Sequence, residues 1–210
     1  MIDDPVFCGL AVIFTFIFLL SVRSFLKILP ALGDCLLRWK GNVDLEDSLQ
    51  LSGSRNWIAI VLFVPFCMVA YSHGLYHPDY MDTLPPALGL AAFSGTMLTY
   101  LLLRFFLNWQ LEMGSYRTKA FMAANHAFYN YMIILFLFVF PVGAILNATI
   151  GNKDLTHTIL LCIIAVTYLI HVFRRGQIFA SACNPFTTFL YLCGLELLPT
   201  TVLVLSAKLL

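Results

Sequence analysis

Long apolar runs separated by short charged segments are the dominant pattern of this chain. A helix that crosses the hydrocarbon core of a bilayer needs about 20 mainly apolar residues. Six stretches are long and apolar enough, and we predict a membrane-spanning helix in each: residues 5–22 extending towards 29, 56–76, 83–103, 118–145, 155–173 and 184–207. These runs are continuously apolar and do not alternate, which favours helices over the strands of a barrel. The predicted fold is an all-α, polytopic bundle of six transmembrane helices.

Composition supports this interpretation and excludes other classes. Of the 210 residues 60% are apolar and only 11% are charged, whereas soluble proteins are about 45–50% apolar. The formal net charge is +1, and no basic stretch could neutralise a row of phosphates, so we expect no nucleic-acid partner. The six cysteines form no CxxC pair, and we expect no disulfide. We therefore treat residues 1–210 as a single integral membrane domain whose first partner is membrane lipid.

Basic residues are distributed very unevenly over the predicted connections. Ten of the twelve Lys and Arg residues lie in the connections after the first, third and fifth spans: Arg23, Lys27, Arg38, Lys40, Arg55, Arg104, Arg117, Lys119, Arg174 and Arg175. Lys and Arg accumulate on the cytoplasmic side of membrane proteins. We therefore predict that these three connections are cytoplasmic and that both termini face the outer, periplasmic side.

The longest connection, residues 30–55, is predicted to be a cytoplasmic interfacial segment. Its first half has the apolar spacing of a helix, with Leu32, Leu36, Leu37 and Trp39 between charged positions. We expect a short helix that lies at the membrane surface. Packing against the ends of the spans is the favoured role, and docking of a partner protein is the alternative.

Glu196 is the first candidate for chemistry because it lies about midway along the sixth span. An acidic side chain at that depth costs several kcal/mol unless it is protonated, paired or in contact with water. Pro199 lacks an N–H and leaves the carbonyl of Leu195 without its usual donor, which predicts a kink and a polar notch beside Glu196. Two roles stay open: a neutral Glu that holds neighbouring helices together, and a group that couples to protons or binds a ligand.

A second group of candidates lies near the cytoplasmic ends of the spans. Arg104 ends the third span, and Asn125 and His126 lie about two turns into the fourth. Arg104 either extends to the interface, which we favour, or reaches Glu196 across the bundle. Arg174 and Arg175 end the fifth span and are interpreted as interfacial residues that contact lipid phosphates.

Histidines suggest two cofactor hypotheses. His73 and His77 share a helix face at i, i+4 and could bind a metal with Asp79, Asp82 or His157. His126 and His171 could be axial ligands of a b-type haem among Phe and Tyr side chains, although they lie at different depths in their spans. In both cases an ordinary hydrogen-bonding role is the competing interpretation, and the cofactor is unknown.

The C-terminal residues 189–199, FLYLCGLELLP, resemble the closing signature of the domain-of-unknown-function family 4271. Arg104 stands where that family usually has Lys, and Tyr116, Asn125-His126 and Pro141 follow in the family order, so the resemblance covers roughly the last 110 residues. It implies a small polytopic protein of the bacterial inner membrane and adds Tyr191, within the signature, to the functional candidates. The family has no established activity, so the resemblance implies none.

Three functions are compatible with the sequence. The first is a binding or assembly subunit of a membrane complex, with a protein partner or a second copy of the chain. The second is a small proton-coupled transporter that uses Glu196, and the third is a metal- or haem-binding membrane enzyme. The enzyme comes third because such enzymes generally have several acidic or His residues grouped at one membrane surface, and here only the His73–Asp79 stretch has such a group.

Overall fold

The computed structural model describes residues 5–112, 119–149 and 151–209. Every regular element in these residues is helical, as predicted. The α-helices are α1 (Pro5–Leu37), α2 (Trp39–Asp47), α3 (Leu49–Ser72), α4 (Pro86–Glu112), α5 (Lys119–Thr149), α6 (Lys153–Ala180), α7 (Pro185–Leu192) and α8 (Leu198–Leu209). A 3-10 turn, Asp79–Thr83, precedes α4, and a π-helical segment, Cys193–Leu197, joins α7 to α8.

Six helical segments are long and apolar enough to cross a membrane, and they correspond to the six predicted spans. They are Val6–Leu37, Leu49–Ser72, Pro86–Gln110, Phe121–Thr149, Lys153–Ala180 and Pro185–Lys208, the last of which comprises α7, the π segment and α8. Many large apolar side chains on these segments point away from the protein; Leu20, Ile60 and Leu169, for example, are each about two-thirds exposed. Such apolar outer surfaces are expected where lipid is the solvent.

Residues 30–55 are divided differently from the prediction. The helix of the first span continues through Pro30 to Leu37, and the short helix is α2, in the middle of the segment. Arg38 has an extended backbone and separates the two helices. A side chain at Gly41 would come within 2.6 Å of the backbone of Asp34. The missing side chain at Gly41 is therefore what lets α2 fold back closely against the end of α1.

The start of α3 also differs from the prediction, since it begins at Leu49 and not near residue 56. Ser48 is the reason, because it has an extended backbone and its hydroxyl accepts a hydrogen bond from the N–H of Leu51. A serine in this position satisfies one of the donors that a helix start leaves free. The polar residues from 50 to 56 therefore form the first two turns of a helix and do not form a loop.

Two clusters of buried side chains define the two ends of the bundle. At the end that carries α2, Phe121, Ile178 and Leu195 pack together with Trp39 of α2 alongside. At the opposite end, Phe7, Tyr71 and Phe93 pack with Ala207 of α8. We call these the α2 end and the far end. Between them, α1, α3 and α5 share a third apolar cluster.

Candidate functional site

A buried ion cluster centred on Glu196 connects α4, α6 and the π segment. Glu196 has no exposed surface, and Arg104 is only 4% exposed. The guanidinium group of Arg104 donates to both carboxylate oxygens, with Nη1 2.6 Å from Oε2 and Nη2 on Oε1. Of the two positions left open for Arg104, the structure therefore shows the one across the bundle, in contact with Glu196, and not the interfacial one.

Two further side chains from α6 reach the same carboxylate. Arg175, which is fully buried, pairs with Oε1 of Glu196. His171 places Nε2 3.2 Å from the same oxygen. His171 and Arg175 are four residues apart and therefore lie on one face of α6. Tyr168, one turn before His171, donates from its hydroxyl to the backbone carbonyl of Glu196 at 3.2 Å.

Glu196 belongs to the π segment, and its backbone carbonyl accepts hydrogen bonds from side chains. The N–H of Leu198 bonds to the carbonyl of Cys193, five residues earlier, which is the π-helical pattern. The carbonyl of Glu196 accepts from the hydroxyl of Thr200 at 2.7 Å as well as from Tyr168. Single-turn π segments are frequent at functional sites.

A cavity lies beside Pro199, but it is not the polar notch predicted beside the Glu196 carboxyl group. A cavity of about 430 Å³ lies between α4 and α8, and Pro199, Tyr100 and Ser206 are among its lining residues. The side chain of Glu196 is not part of this lining. The cavity and the carboxylate are therefore separate features, although Pro199 and Glu196 are close in sequence.

The Glu196 cluster carries more positive than negative charge. Counted over the side chains that the structure describes, two guanidinium groups, on Arg104 and Arg175, surround one carboxylate, so one positive charge is in excess even when His171 is neutral. Among the described residues, no partner is found for His171 Nδ1 or for Arg175 Nε. The aromatic ring of Phe128 lies 3.9 Å from the guanidinium carbon of Arg104, which contributes a cation–π contact. The cluster is therefore an electropositive centre inside the bundle.

Two asparagines extend the cluster towards the α2 end. Arg175 Nη2 lies 2.8 Å from Oδ1 of Asn125 and 3.4 Å from Oδ1 of Asn108. Asn125 belongs to α5, so the cluster also reaches the fourth span. The predicted candidates Arg104, Asn125 and Glu196 are thus brought together, and Arg175 is the residue that joins them.

His126 belongs to a second polar cluster, which attaches α2 to the bundle. Its Nδ1 lies 2.8 Å from Oε1 of Glu46, and Arg55 donates from Nη1 to the other oxygen at 2.6 Å. Burial alone would raise the pKa of Glu46, but the hydrogen bonds from His126 and Arg55 outweigh it and hold the pKa below its usual value. Glu46 is therefore an ionised anchor between α2, α3 and α5.

The two arginines at the end of the fifth span have protein partners. Arg174 donates to the carbonyl oxygens of Leu36 and Leu37, at 3.0 and 2.8 Å, and so caps the end of α1. Arg175 is buried against Glu196. The prediction that both residues contact lipid phosphates is therefore wrong for Arg175, which is fully buried. Arg174 is partly exposed, and for it the lipid contact stays a prediction.

The predicted candidate Tyr191 packs among aromatic side chains. Its ring stacks on Phe179 with 5.4 Å between centroids and meets the edge of Phe121 at 5.7 Å. Tyr116 lies outside the described residues.

The histidines do not assemble a metal or haem site. His77 Nε2 is 2.8 Å from Oδ1 of Asp82, whereas His73 contacts Ser72. Among the described residues, no three His, Cys, Asp or Glu side chains are grouped closely enough to hold a metal. His126 and His171 bind different glutamates, Glu46 and Glu196, so the residues present do not offer a haem two free axial ligands.

Sequence reasoning missed the roles of Arg175, Glu46 and Arg55. The signal for Arg175 was its spacing, because residues 168, 171 and 175 fall on one helical face, as i, i+3 and i+7 positions do. Adjacent residues on a helix are rotated by about 100°, so Arg174 and Arg175 could not share one environment. No comparable signal pairs Glu46 with Arg55, because the break at Ser48 that brings them together is itself difficult to predict.

A family model described as Domain of unknown function (DUF4271) matches residues 5–205, nearly the whole chain. No curated protein and no solved structure matches the chain. The match confirms the resemblance found in the C-terminal half and extends it through the first 80 residues, where no signature was recognised.

Proposed function

Because the chain belongs to the DUF4271 family, whose description names no activity, we propose a function from its geometry: it is a binding or assembly subunit of a complex in the bacterial inner membrane. The observation that carries this proposal is the state of Glu196. Its carboxylate is fully buried and both oxygens are taken by side chains of other helices. The principal ionisable group of the spans thus holds the bundle together.

The arrangement supports a scaffold because its polar contacts join distant parts of the chain. Arg104 and Glu196 are 92 residues apart in sequence, and His126 and Glu46 are 80 apart. Removing one member of a buried ion pair is costly because the other charge is left unpaired. Such contacts fix how helices are arranged, which is what a subunit with a defined surface requires.

A proton-coupled carrier is the alternative, and the surroundings of Glu196 argue against it. A group that relays protons needs an exchange path to water. Glu196 is enclosed by Arg104, Arg175 and His171, and it does not line the neighbouring cavity between α4 and α8. The geometry favours the subunit over the carrier for this reason.

The test is purification of the tagged full chain from its native membrane in a mild detergent, followed by quantitative mass spectrometry. We expect another membrane protein to co-purify at constant stoichiometry. The matched control is a second preparation that is first dissociated in a harsher detergent, from which the partner should be lost while the chain stays folded.

A chain that purifies alone or as a homo-oligomer, and that drives proton uptake into liposomes, would contradict the proposal. In that case Glu196→Gln should abolish the uptake, because glutamine keeps the shape of the side chain and removes its titrating proton. Proton uptake that is absent in the wild type, together with a stoichiometric partner, is the result that the subunit proposal predicts.

A further inference from the structure

A cleft between α4 on one side and α3 and α5 on the other has two compartments, of which the one with more polar side chains in its wall is called the polar compartment and the other the apolar compartment. The compartment nearer the α2 end has a volume of about 230 Å³, and Arg104, Asn108 and Asn125 are part of its wall. The second has a volume of about 460 Å³ and is lined mainly by apolar side chains, which include Ile60, Phe63, Leu98 and Met132. Both compartments share Leu101, His126, Phe128 and Tyr129 as lining residues.

We infer that this cleft binds one anionic phospholipid, with its phosphate in the polar compartment and an acyl chain in the apolar one. This inference goes beyond the subunit role and does not depend on it. It rests on the chemistry of the two compartments and on the charge of the side chains that form their walls.

Part of the wall of the polar compartment carries hydrogen-bond donors. A guanidinium group only donates, so the amide oxygens of Asn108 and Asn125 face Arg175 and their NH₂ groups are left as donors. Arg104 has five N–H donors. Its Nη1 and Nη2 nitrogens donate to Glu196, and each of these groups has a second N–H. Trp109 adds an indole N–H to the side chains of the wall. Such a donor set fits the oxygen atoms of a phosphate.

The charge balance of the walls selects an anion over a neutral or cationic group. No Asp or Glu is found among the described residues that line either compartment. Arg104 lines the polar compartment and belongs to the cluster with one excess positive charge. In a low-dielectric environment an unbalanced buried charge is costly, and a bound phosphate would neutralise it.

The apolar compartment explains why the anion should be a lipid and not a free ion. Ile60 and Leu98 line it and are at least half exposed to the outside of the protein. In a membrane this exposed side opens onto acyl chains. The cleft can therefore be entered sideways from the bilayer, without passage through water.

The depths of the two compartments match the shape of a phospholipid. Asn108 lies in the polar compartment and Leu98 in the apolar one, and ten helical residues correspond to about 15 Å along α4. α4 continues beyond Asn108 to Glu112, so the polar compartment lies near the end of the helix, at the level where headgroups occur. A phosphate placed there directs its acyl chain towards the middle of the bundle.

Native mass spectrometry of the full chain in detergent tests the inference. The protein is titrated with phosphatidylglycerol or with phosphatidylcholine that carries the same acyl chains. We expect one phosphatidylglycerol to be retained about tenfold more strongly. Both lipids carry the same anionic phosphate, but the choline group of phosphatidylcholine brings a positive charge to a site that already has one in excess. Equal retention of the two lipids would overturn the inference.

Inorganic phosphate distinguishes a lipid site from a site for free anions. We expect a large excess of phosphate to leave the retained phosphatidylglycerol in place, because phosphate lacks the acyl chain. Displacement of the lipid by inorganic phosphate would overturn the lipid assignment.

Ala59→Phe and Ala92→Phe provide a matched pair of variants. Ala59 lines the apolar compartment, whereas Ala92 lines the separate cavity between α4 and α8, which is of similar volume. Both positions are partly buried in transmembrane helices. We expect the first variant to lose at least tenfold in lipid retention and the second to behave like the wild type, since only the first fills the acyl-chain compartment. Equal behaviour of the two variants would contradict the proposed position.

A fluorescence measurement needs no variant in the cleft and keeps the inference testable if Ala59→Phe does not fold. The sequence has three tryptophans, and Trp39→Phe with Trp57→Phe leaves Trp109, which lines the polar compartment. Phosphatidylglycerol brominated near the top of an acyl chain should quench Trp109 several-fold more effectively than brominated phosphatidylcholine at equal mole fraction. Equal quenching by the two lipids would overturn the preference for an anion.

Discussion

At the scale of single residues, the ionic side chains of the bundle form two clusters. In each cluster one glutamate accepts hydrogen bonds from several basic side chains. Glu196 accepts from Arg104, Arg175 and His171, and Glu46 accepts from Arg55 and His126. The two sets differ in exposure and in net charge. The Glu46 set lies at the end of the bundle and is partly exposed, whereas the Glu196 set is enclosed and retains an excess positive charge.

The pKa of Glu46 leads to a prediction about acid stability. Hydrogen bonds from His126 and Arg55 hold this pKa below its ordinary value of 4.5 despite partial burial. A carboxyl group whose pKa is lowered by folding contributes stability that is present above the unfolded pKa and is lost as the pH falls through the folded one. We expect the melting temperature in detergent to fall between about pH 5 and pH 3.

Glu46→Gln is the control that isolates this contribution, because glutamine cannot titrate. The variant should be less stable than the wild type near neutral pH, and the difference should shrink as the pH falls below 4.5. A wild type and variant that differ by the same amount at every pH would show that the ionised form of Glu46 contributes nothing to folding.

The roles of single residues were only partly predictable from the sequence. The depth of Glu196 in an apolar run identified it without a structure, because unpaired charge is costly there. The partner of Arg104 was not determined, because a long side chain can reach either the interface or the interior and the rotation of its helix is unknown. Arg175 was assigned to the interface through its position next to Arg174, although the two residues face different directions on α6.

At the scale of helices, a glycine allows the backbones of α1 and α2 to approach each other closely. A Cβ atom at Gly41 would meet the backbone of Asp34 at 2.6 Å, whereas a Cβ atom at Gly53 on α3 would meet nothing. Backbone atoms cannot move aside as a flexible side chain can. Gly41 is therefore a requirement of the fold, and Gly53 is an ordinary helical glycine.

Gly41→Ala and Gly53→Ala should have opposite effects on stability. Alanine is favoured over glycine in a helix by up to about 1 kcal/mol. We therefore expect Gly53→Ala to raise the free energy of unfolding by up to about that amount. At Gly41 the clash should reverse this and destabilise the protein by about 1–3 kcal/mol, the usual cost of overpacking. Free energies of unfolding in mixed micelles measure both. A stabilised Gly41→Ala variant would show that α2 does not pack where the structure places it.

The existence of the helices was predictable, and several of their boundaries were not. Apolar runs of about 20 residues indicate a span whatever surrounds them. The start of α3 depends on one capping serine, Ser48, and the end of α1 on a single extended residue, Arg38. The carbonyl of Glu196 in the π segment accepts hydrogen bonds from Tyr168 and Thr200, and neither periodicity nor composition indicates such contacts.

At the scale of the whole molecule, the distribution of basic residues predicts the orientation in the membrane. The α2 end should face the cytoplasm, and the far end, where Asp79 and Lys153 are exposed, should face the opposite side. Asp44 is an exposed residue of the α2 end. These three positions are suitable for labelling because they lie outside the packed core.

Cysteine labelling in intact cells tests this orientation. After replacement of the six native cysteines, Asp79→Cys and Lys153→Cys should react with a membrane-impermeant maleimide, and Asp44→Cys should react only after the membrane is permeabilised. The reverse pattern would show that the bundle is inserted the other way round.

The ion cluster also acts at this scale, because it connects α4, α6 and the sixth span through side chains that are far apart in sequence. The most direct test of the account is a double-mutant cycle on Arg104 and Glu196, with free energies of unfolding measured in mixed micelles. Glu196→Gln should cost about 3–5 kcal/mol, since it leaves buried cations without their counter-ion. Arg104→Gln added to that variant should cost much less than it does alone, with a coupling of about 1–3 kcal/mol.

Arg38→Gln is the control for the cycle, because Arg38 is exposed and makes no contact with Glu196 in the structure. Its effect should add to that of Glu196→Gln within about 0.5 kcal/mol. A strong coupling between Arg104 and Glu196, together with additivity at Arg38, is the result that the account predicts. Additive effects of Arg104→Gln and Glu196→Gln would contradict it, because Glu196 would then not be the counter-ion that holds the bundle together.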